Sequence, residues 1–145
     1  MIRINSIDYS GSIVDGPGIR TVLYVQGCDQ ACPGCQNTKT WKRDGGTEVL
    51  IDDLVIELRE KVTNKKLTIS GGEPLLQADE VLSLLDSLSE FNVALYTGYE
   101  LENVPKEILE KLDYIKVGKY IEESRSTTLS YVGSSNQCFL ILKGD

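Results

Sequence analysis

Histidine is absent from the 145 residues. That absence removes several chemistries together: Ser-His-Asp and Cys-His nucleophile systems, and zinc hydrolases built on imidazole ligands. Basic residues are scarce. There are 15 Lys and Arg against 22 Asp and Glu, a formal net charge of −7, and no block of Lys and Arg. Direct nucleic-acid binding wants a basic face and is therefore disfavoured. Hydrophobic residues make up 41% of the chain, yet no run of them approaches membrane-spanning length. The chain opens Met1-Ile2-Arg3-Ile4-Asn5 with no apolar signal segment, which predicts a cytoplasmic protein whose thiols stay reduced. Repeats and low-complexity tracts are lacking as well. A chain of 145 residues can bury one real core and is too short for two, so residues 1–145 are expected to form a single domain.

Against these absences stands a concentration of cysteine. Three of the four cysteines fall at Cys28, Cys32 and Cys35, spaced C-x3-C-x2-C. They follow the apolar run Thr21-Val22-Leu23-Tyr24-Val25, which reads as a buried strand. Pro33-Gly34 places a turn between the second and third thiols. A strand feeding a loop with three clustered thiols outlines a metal site, and three protein ligands leave one position open for chemistry. A disulfide is disfavoured in a reducing compartment. Structural zinc needs four ligands, and only Cys138 is left to supply the fourth. An iron–sulfur cluster on three thiolates and a zinc site on four are the two readings that spacing alone leaves open. Cys138 itself lies in the apolar run Cys138-Phe139-Leu140-Ile141-Leu142 and reads as a small core residue.

The rest of the chain alternates strand and helix signals. Ile2 and Ile4 suggest an edge strand. Ile51, Val55, Leu58 and Val62 share one face of a helix over about 51–63. Residues 67–70 read as a strand, and a second helix over about 78–90 has Val81, Leu84, Leu85 and Leu88 as its stripe. Residues 92–97 form the next strand. Pro105 opens a helix over about 105–112, with Glu107 and Lys111 as an i,i+4 pair. Residues 114–117 and 138–142 supply the last strands, separated by the Ser- and Thr-rich stretch 121–137. This alternation predicts a mostly parallel α/β sheet with right-handed crossovers. A closed eight-fold barrel takes roughly 250 residues, so the expected fold is a partial, open (βα) barrel with a curved sheet. Its chemistry belongs at the C-terminal strand ends. The sequence obeys that rule, because Cys28, Glu73, Thr97 and Lys119 each lie at or just beyond the end of a different strand.

The order Asp15-Gly16-Pro17-Gly18-Ile19-Arg20, C-x3-C-x2-C, Gly71-Gly72-Glu73-Pro74, Tyr96-Thr97-Gly98-Tyr99, Gly118-Lys119-Tyr120 and Gly133-Ser134-Ser135-Asn136-Gln137 resembles the radical S-adenosylmethionine enzymes. Within them it resembles the activators of glycyl-radical enzymes, and most of all those that serve anaerobic class III ribonucleotide reductase. The resemblance covers residues from about 5 to 142. It implies a 4Fe-4S cluster held by Cys28, Cys32 and Cys35, with S-adenosylmethionine on the fourth iron. It implies cofactor contacts from Gly71, Gly72, Glu73, Pro74, Thr97 and Lys119, with the Glu73 carboxylate meeting the methionine ammonium and Lys119 the carboxylate. Reductive cleavage of the sulfonium would then yield a 5′-deoxyadenosyl radical that takes a hydrogen atom from a glycine of the reductase. The hard chemistry is the cofactors', so no catalytic side chain is expected. The implied partners are the reductase large subunit and a low-potential electron donor such as flavodoxin, with no nucleic acid and no membrane. Asn136 and Gln137 are candidates for contacting the reductase, or else for capping the last strand. Arg20 is expected either near an anionic group at the site or in a surface ion pair. A radical enzyme acting on a small molecule and a non-catalytic zinc-binding module are the alternatives.

Overall fold

The computed structural model of the chain describes residues 1–12, 18–27, 46–118 and 137–142. Seven strands form one sheet in the order β3-β1-β2-β4-β5-β6-β7. They are β1 (Ile2–Ser12), β2 (Arg20–Val25), β3 (Thr47–Val49), β4 (Lys66–Gly71), β5 (Asn92–Tyr96), β6 (Tyr114–Val117) and β7 (Cys138–Ile141). The four central strands, β2, β4, β5 and β6, are mutually parallel. β1 joins β2 antiparallel, β3 joins β1 antiparallel and β7 joins β6 antiparallel. The sheet is unclosed, with β3 and β7 at its edges. The expected open α/β architecture is therefore present, and it is wider than the alternation alone required.

Helices α1 (Ile51–Lys61), α2 (Ala78–Ser87) and α3 (Lys106–Leu109) provide the crossovers. α1 carries Asp52 and Asp53 in its first turn and Arg59 and Lys61 in its last, matching the helix dipole at both ends. Its Leu54, Val55 and Leu58 join Val81, Leu84, Leu85 and Leu88 over the alternate residues Leu23, Val25, Leu67, Ile69, Val93, Leu95, Ile115 and Val117 of the sheet. Period two in the strands and period 3.6 in the helices put these side chains into one core. The other set of strand residues gives a second, smaller cluster of Ala94, Tyr96 and Tyr114 with Phe139 against it.

α3 is shorter than the expected helix. After Glu110 N–H→Lys106 O, the next amides bond three residues back, Lys111 to Ile108 and Leu112 to Leu109. The chain tightens into a 3-10 turn there. Lys111 consequently leaves the expected partnership with Glu107 and pairs with Asp86 of α2 at 2.6 Å. Arg20 differs from both of its expectations. It is 1% exposed, so it is not a surface residue, and it starts β2, at the end of the strand opposite the cysteine loop. Its guanidinium donates to Thr68 Oγ1, Asn92 Oδ1, Leu67 O and Asn92 O, all at 2.7–2.8 Å, and lies 5.6 Å from the Tyr114 ring centroid.

Candidate functional site

β2 and β4 run in register, with Val25 opposite Gly71, so the approach to the cysteine loop and the start of the Gly-Gly-Glu-Pro turn leave the sheet side by side. Gly71 is what permits this closeness. Its φ is +120°, and a Cβ there would sit 2.4 Å from the Val25 carbonyl oxygen and 2.5 Å from the Val25 nitrogen. Two amides then stitch the turn to the end of β2: Gly72 N–H→Val25 O at 3.1 Å and Glu73 N–H→Gly27 O at 2.6 Å. Gly27 is the residue before Cys28. The returning end of the cysteine loop comes back to the same place. Gly46, at φ +72°, packs so tightly that a Cβ would meet Ile4 O at 2.3 Å and the Gln26 side chain at 3.0 Å.

Pro74 opens a 3-10 turn, Pro74–Gln77, that Glu73 caps through its own side chain. The Glu73 carboxylate is 1% exposed and accepts three hydrogen bonds. Oε2 takes Leu75 N–H at 3.0 Å and the Thr97 hydroxyl at 2.6 Å, and Oε1 takes Gly98 N–H at 2.7 Å. Thr97 Oγ1 in turn accepts from Tyr99 N–H at 3.1 Å. Glu73 and Thr97, two of the residues expected at the cofactor, thus contact each other across the ends of β4 and β5. Burial pushes the Glu73 carboxyl above its ordinary value, against the opposing pull of the Thr97, Leu75 and Gly98 hydrogen bonds and the charge of Lys116.

The bonding continues along the strand ends. Gly118 N–H donates to Tyr99 O at 3.0 Å, and the buried Gln137 donates from Nε2 to Gly118 O at 2.9 Å. Gly71, Gly72, Glu73, Pro74, Thr97 and Gln137 therefore stand along one edge, in a run of contacts from Gly27 to the start of β7. Cys28, Cys32 and Cys35, along with Lys119, Asn136 and most of the 121–137 segment, lie outside the described residues. Cys138 is described as exposed on the edge strand β7, in place of the core position expected for it.

Two residues at this edge carry no motif signal. Gln26 is 4% exposed, and its Oε1 accepts from Asn5 Nδ2 at 3.1 Å. Gln77 reaches back to β1, taking Arg3 N–H on Oε1 at 2.7 Å and donating from Nε2 to Arg3 O at 2.9 Å. Only their adjacency to the cysteines and to Gly-Gly-Glu-Pro in sequence pointed toward the site.

The donor set fits an iron–sulfur cluster. Three soft thiolates belong to one loop, and that loop leaves and returns at a base where Gly27, Gly46 and Gly71 have no side chains to obstruct it.

A family model described as a 4Fe-4S single cluster domain matches residues 14–140. The chain is 31% identical over 142 residues to the anaerobic ribonucleoside-triphosphate reductase-activating protein of Escherichia coli (strain K12), a match covering 89% of this chain and 92% of that one. It is 34% identical over 139 residues to the protein of the same description from Enterobacteria phage T4, covering 89% and 88%. It is 40% identical over 123 residues to the pyruvate formate-lyase-activating enzyme of Clostridium pasteurianum, covering 79% of this chain and 51% of that one. Among solved structures, QueE from Escherichia coli superposes with a TM-score of 0.54 at 19% identity, covering 79% of this chain and 68% of that one, and this likeness bears on the fold.

Proposed function

Because the chain belongs to the 4Fe-4S single cluster domain family, and within it to the anaerobic ribonucleoside-triphosphate reductase-activating proteins, we propose that it is the activase that places a glycyl radical on an anaerobic ribonucleotide reductase. It is a radical S-adenosylmethionine enzyme. The observation that carries the reading is the joining of the cysteine loop to the Gly-Gly-Glu-Pro turn through Glu73 N–H→Gly27 O. A loop that carries three thiols and a turn suited to an amino acid moiety are fixed to each other at one point.

Cys28, Cys32 and Cys35 would hold the cluster, and the Gly-Gly-Glu-Pro turn would hold S-adenosylmethionine. Together the two supply one-electron cleavage of a sulfonium and, through it, abstraction of a hydrogen atom from a glycine. The chain's own residues bind and orient. Gly71 and Gly72 keep the turn low against β2. Glu73 Oε1 accepts one described hydrogen bond and retains capacity for a second, which the methionine ammonium would take. Thr97 holds that carboxylate in place. Lys119, one residue beyond the Gly118 that Tyr99 and Gln137 hold, would meet the methionine carboxylate. Asn136 and Gln137 border the approach of the reductase's glycine-bearing segment. A low-potential donor such as flavodoxin would supply the electron, in the cytoplasm. No helix among the described residues is long and apolar enough to cross a membrane.

The test mixes the reconstituted, reduced protein with S-adenosylmethionine and the reductase in the absence of oxygen and records an EPR spectrum. The expected result is a glycyl-radical doublet that disappears when the reductase glycine is replaced by alanine. Cofactor cleavage with no partner radical, for every cognate reductase tried, would assign the enzyme a small-molecule substrate.

A further inference from the structure

Gln77 occupies the N-cap position of α2, where a short polar side chain ordinarily accepts from the helix's own first amides. Its side chain makes no such bond. It is committed elsewhere, to a pairing with Arg3 that copies the two-bond exchange between residues of neighbouring strands. The same Nε2 also lies 3.4 Å from Gln26 O. Arg3 O accepts from Gln26 N–H as well, at 3.1 Å. Both backbone polar groups of Gln26 are therefore engaged with Arg3 and Gln77. Gly27 O, one residue on, is held by Glu73 N–H. Gly46, where the cysteine loop returns, rests on the Gln26 side chain. The two ends of the loop thus meet on a single residue, and Gln77 donates to that residue's carbonyl.

We propose that Gln77 is a positioning residue for the iron–sulfur cluster: its carboxamide fixes the Gln26–Gly27 backbone and thereby the base of the loop that bears Cys28, Cys32 and Cys35. The inference rests on the reading that these three cysteines hold the cluster. The carboxamide's commitment to Arg3 and Gln26 ties the start of α2 to the base of the loop. The base of the loop sets how readily the loop opens, since iron escapes through local opening rather than through unfolding of the core. The amide is specific in kind as well as in size. Nε2 faces two carbonyl oxygens, and Oε1 faces an N–H. A thioether of the same length supplies neither interaction. A carboxylate keeps the acceptor for Arg3 N–H but sets a second oxygen against Arg3 O and Gln26 O.

The experiment uses the full chain, reconstituted without oxygen, and compares the wild type with Gln77→Met, Gln77→Glu and a distant core control, Ile108→Val. Three quantities are read: iron bound, the rate of iron transfer to a ferrous chelator, and the EPR signal of the reduced cluster. Gln77→Met is expected to bind iron like the wild type and to release it about five- to tenfold faster, the effect of one or two lost hydrogen bonds. Gln77→Glu releases it faster still, and both variants show an altered EPR line shape. Ile108→Val, which lowers the melting temperature from α3, is expected to leave release rate and line shape alone. If Gln77→Met does not fold, Gln77→Asn is read in its place, because it keeps the amide but falls one methylene short of Arg3. Wild-type release and line shape in the Gln77 variants overturn the inference, as does equal acceleration in Ile108→Val. A wild-type protein that takes up no iron overturns the cluster reading, and this inference with it.

Discussion

Replacing Glu73 by glutamine removes one charge and converts one acceptor oxygen into a donor. The wild-type carboxylate faces donors only: Leu75 N–H and the Thr97 hydroxyl at Oε2, Gly98 N–H at Oε1. A carboxamide in either orientation must point its NH2 at a backbone N–H, Gly98 in one case and Leu75 in the other. One buried amide is left without an acceptor, which costs about 1–3 kcal/mol, and one hydrogen bond is lost besides. The protonated acid escapes this clash, because an O–H on Oε2 can turn to Thr97 Oγ1 while Oε2 still accepts from Leu75 N–H; we therefore expect Glu73→Gln to lower the stability of the metal-free protein by about 2–3 kcal/mol at acid pH. The pH dependence has a definite sign. The folded-state carboxyl is raised above its ordinary value of 4.5, chiefly by burial. Its contribution is fully present below 4.5 and is lost as pH rises through the raised folded value. The gap between wild type and Glu73→Gln should therefore be widest at acid pH and narrow on the way to neutrality. Urea unfolding of both proteins across a pH series, analysed by linear extrapolation, measures it. A gap that grows as pH rises would mean that the hydrogen bonds outweigh burial. No gap at any pH would mean that the three donors do not converge on this carboxylate.

Two further outcomes follow from the cysteines and from Arg20. Cys32→Ser should abolish the visible absorption of the reconstituted protein, whereas Cys138→Ser should keep it, with about four irons per chain. Bleaching by Cys138→Ser would show a fourth thiolate ligand. Arg20→Met leaves acceptors on Thr68, Leu67 and Asn92 without their donor, and should destabilise by at least about 3 kcal/mol while the protein still binds iron. A loss under about 1 kcal/mol in urea unfolding would remove the guanidinium from the core's essential bonds.

Much of the fold is legible because it rests on periodicity. β2, β4, β5 and β6 are short apolar runs bounded by turn residues, and α1 and α2 carry clean apolar stripes. β1 is less legible for a specific reason. Ile2 and Ile4 alternate properly, but Ile7 and Tyr9 follow out of phase, which breaks the period-two pattern. The pairing with β2 slips between Ile4 and Ser6. That bulge restores phase, so all four side chains pack on the same core. β3 is three residues long with two of them exposed, too short for any periodicity to register. At the site, Gly71-Gly72-Glu73-Pro74 and Thr97 stand out by motif and by their place at strand ends. The bonds that give them their geometry do not. Glu73 to Thr97 spans 24 residues and Gln77 to Arg3 spans 74, and nothing local in the sequence specifies either partner.

The guanidinium of Arg20 has a bearing on how the sheet assembles. It starts in β2, bonds to β4 and β5, and stacks on a ring of β6, so all four parallel strands meet at one charge. Its hydrogen-bond partners lie 47, 48 and 72 residues away along the chain. A charge that cannot be neutralised is expensive to bury until its donors are matched. With only β2 and β4 in place, Arg20 would be partly desolvated and partly bonded, and that intermediate gains little. Once β5 and β6 are in place, the four described acceptors and the Tyr114 ring all surround it. The bonds of this one side chain therefore tie the four parallel strands into a single unit, and displacing β4 or β5 strips a buried cation of acceptors.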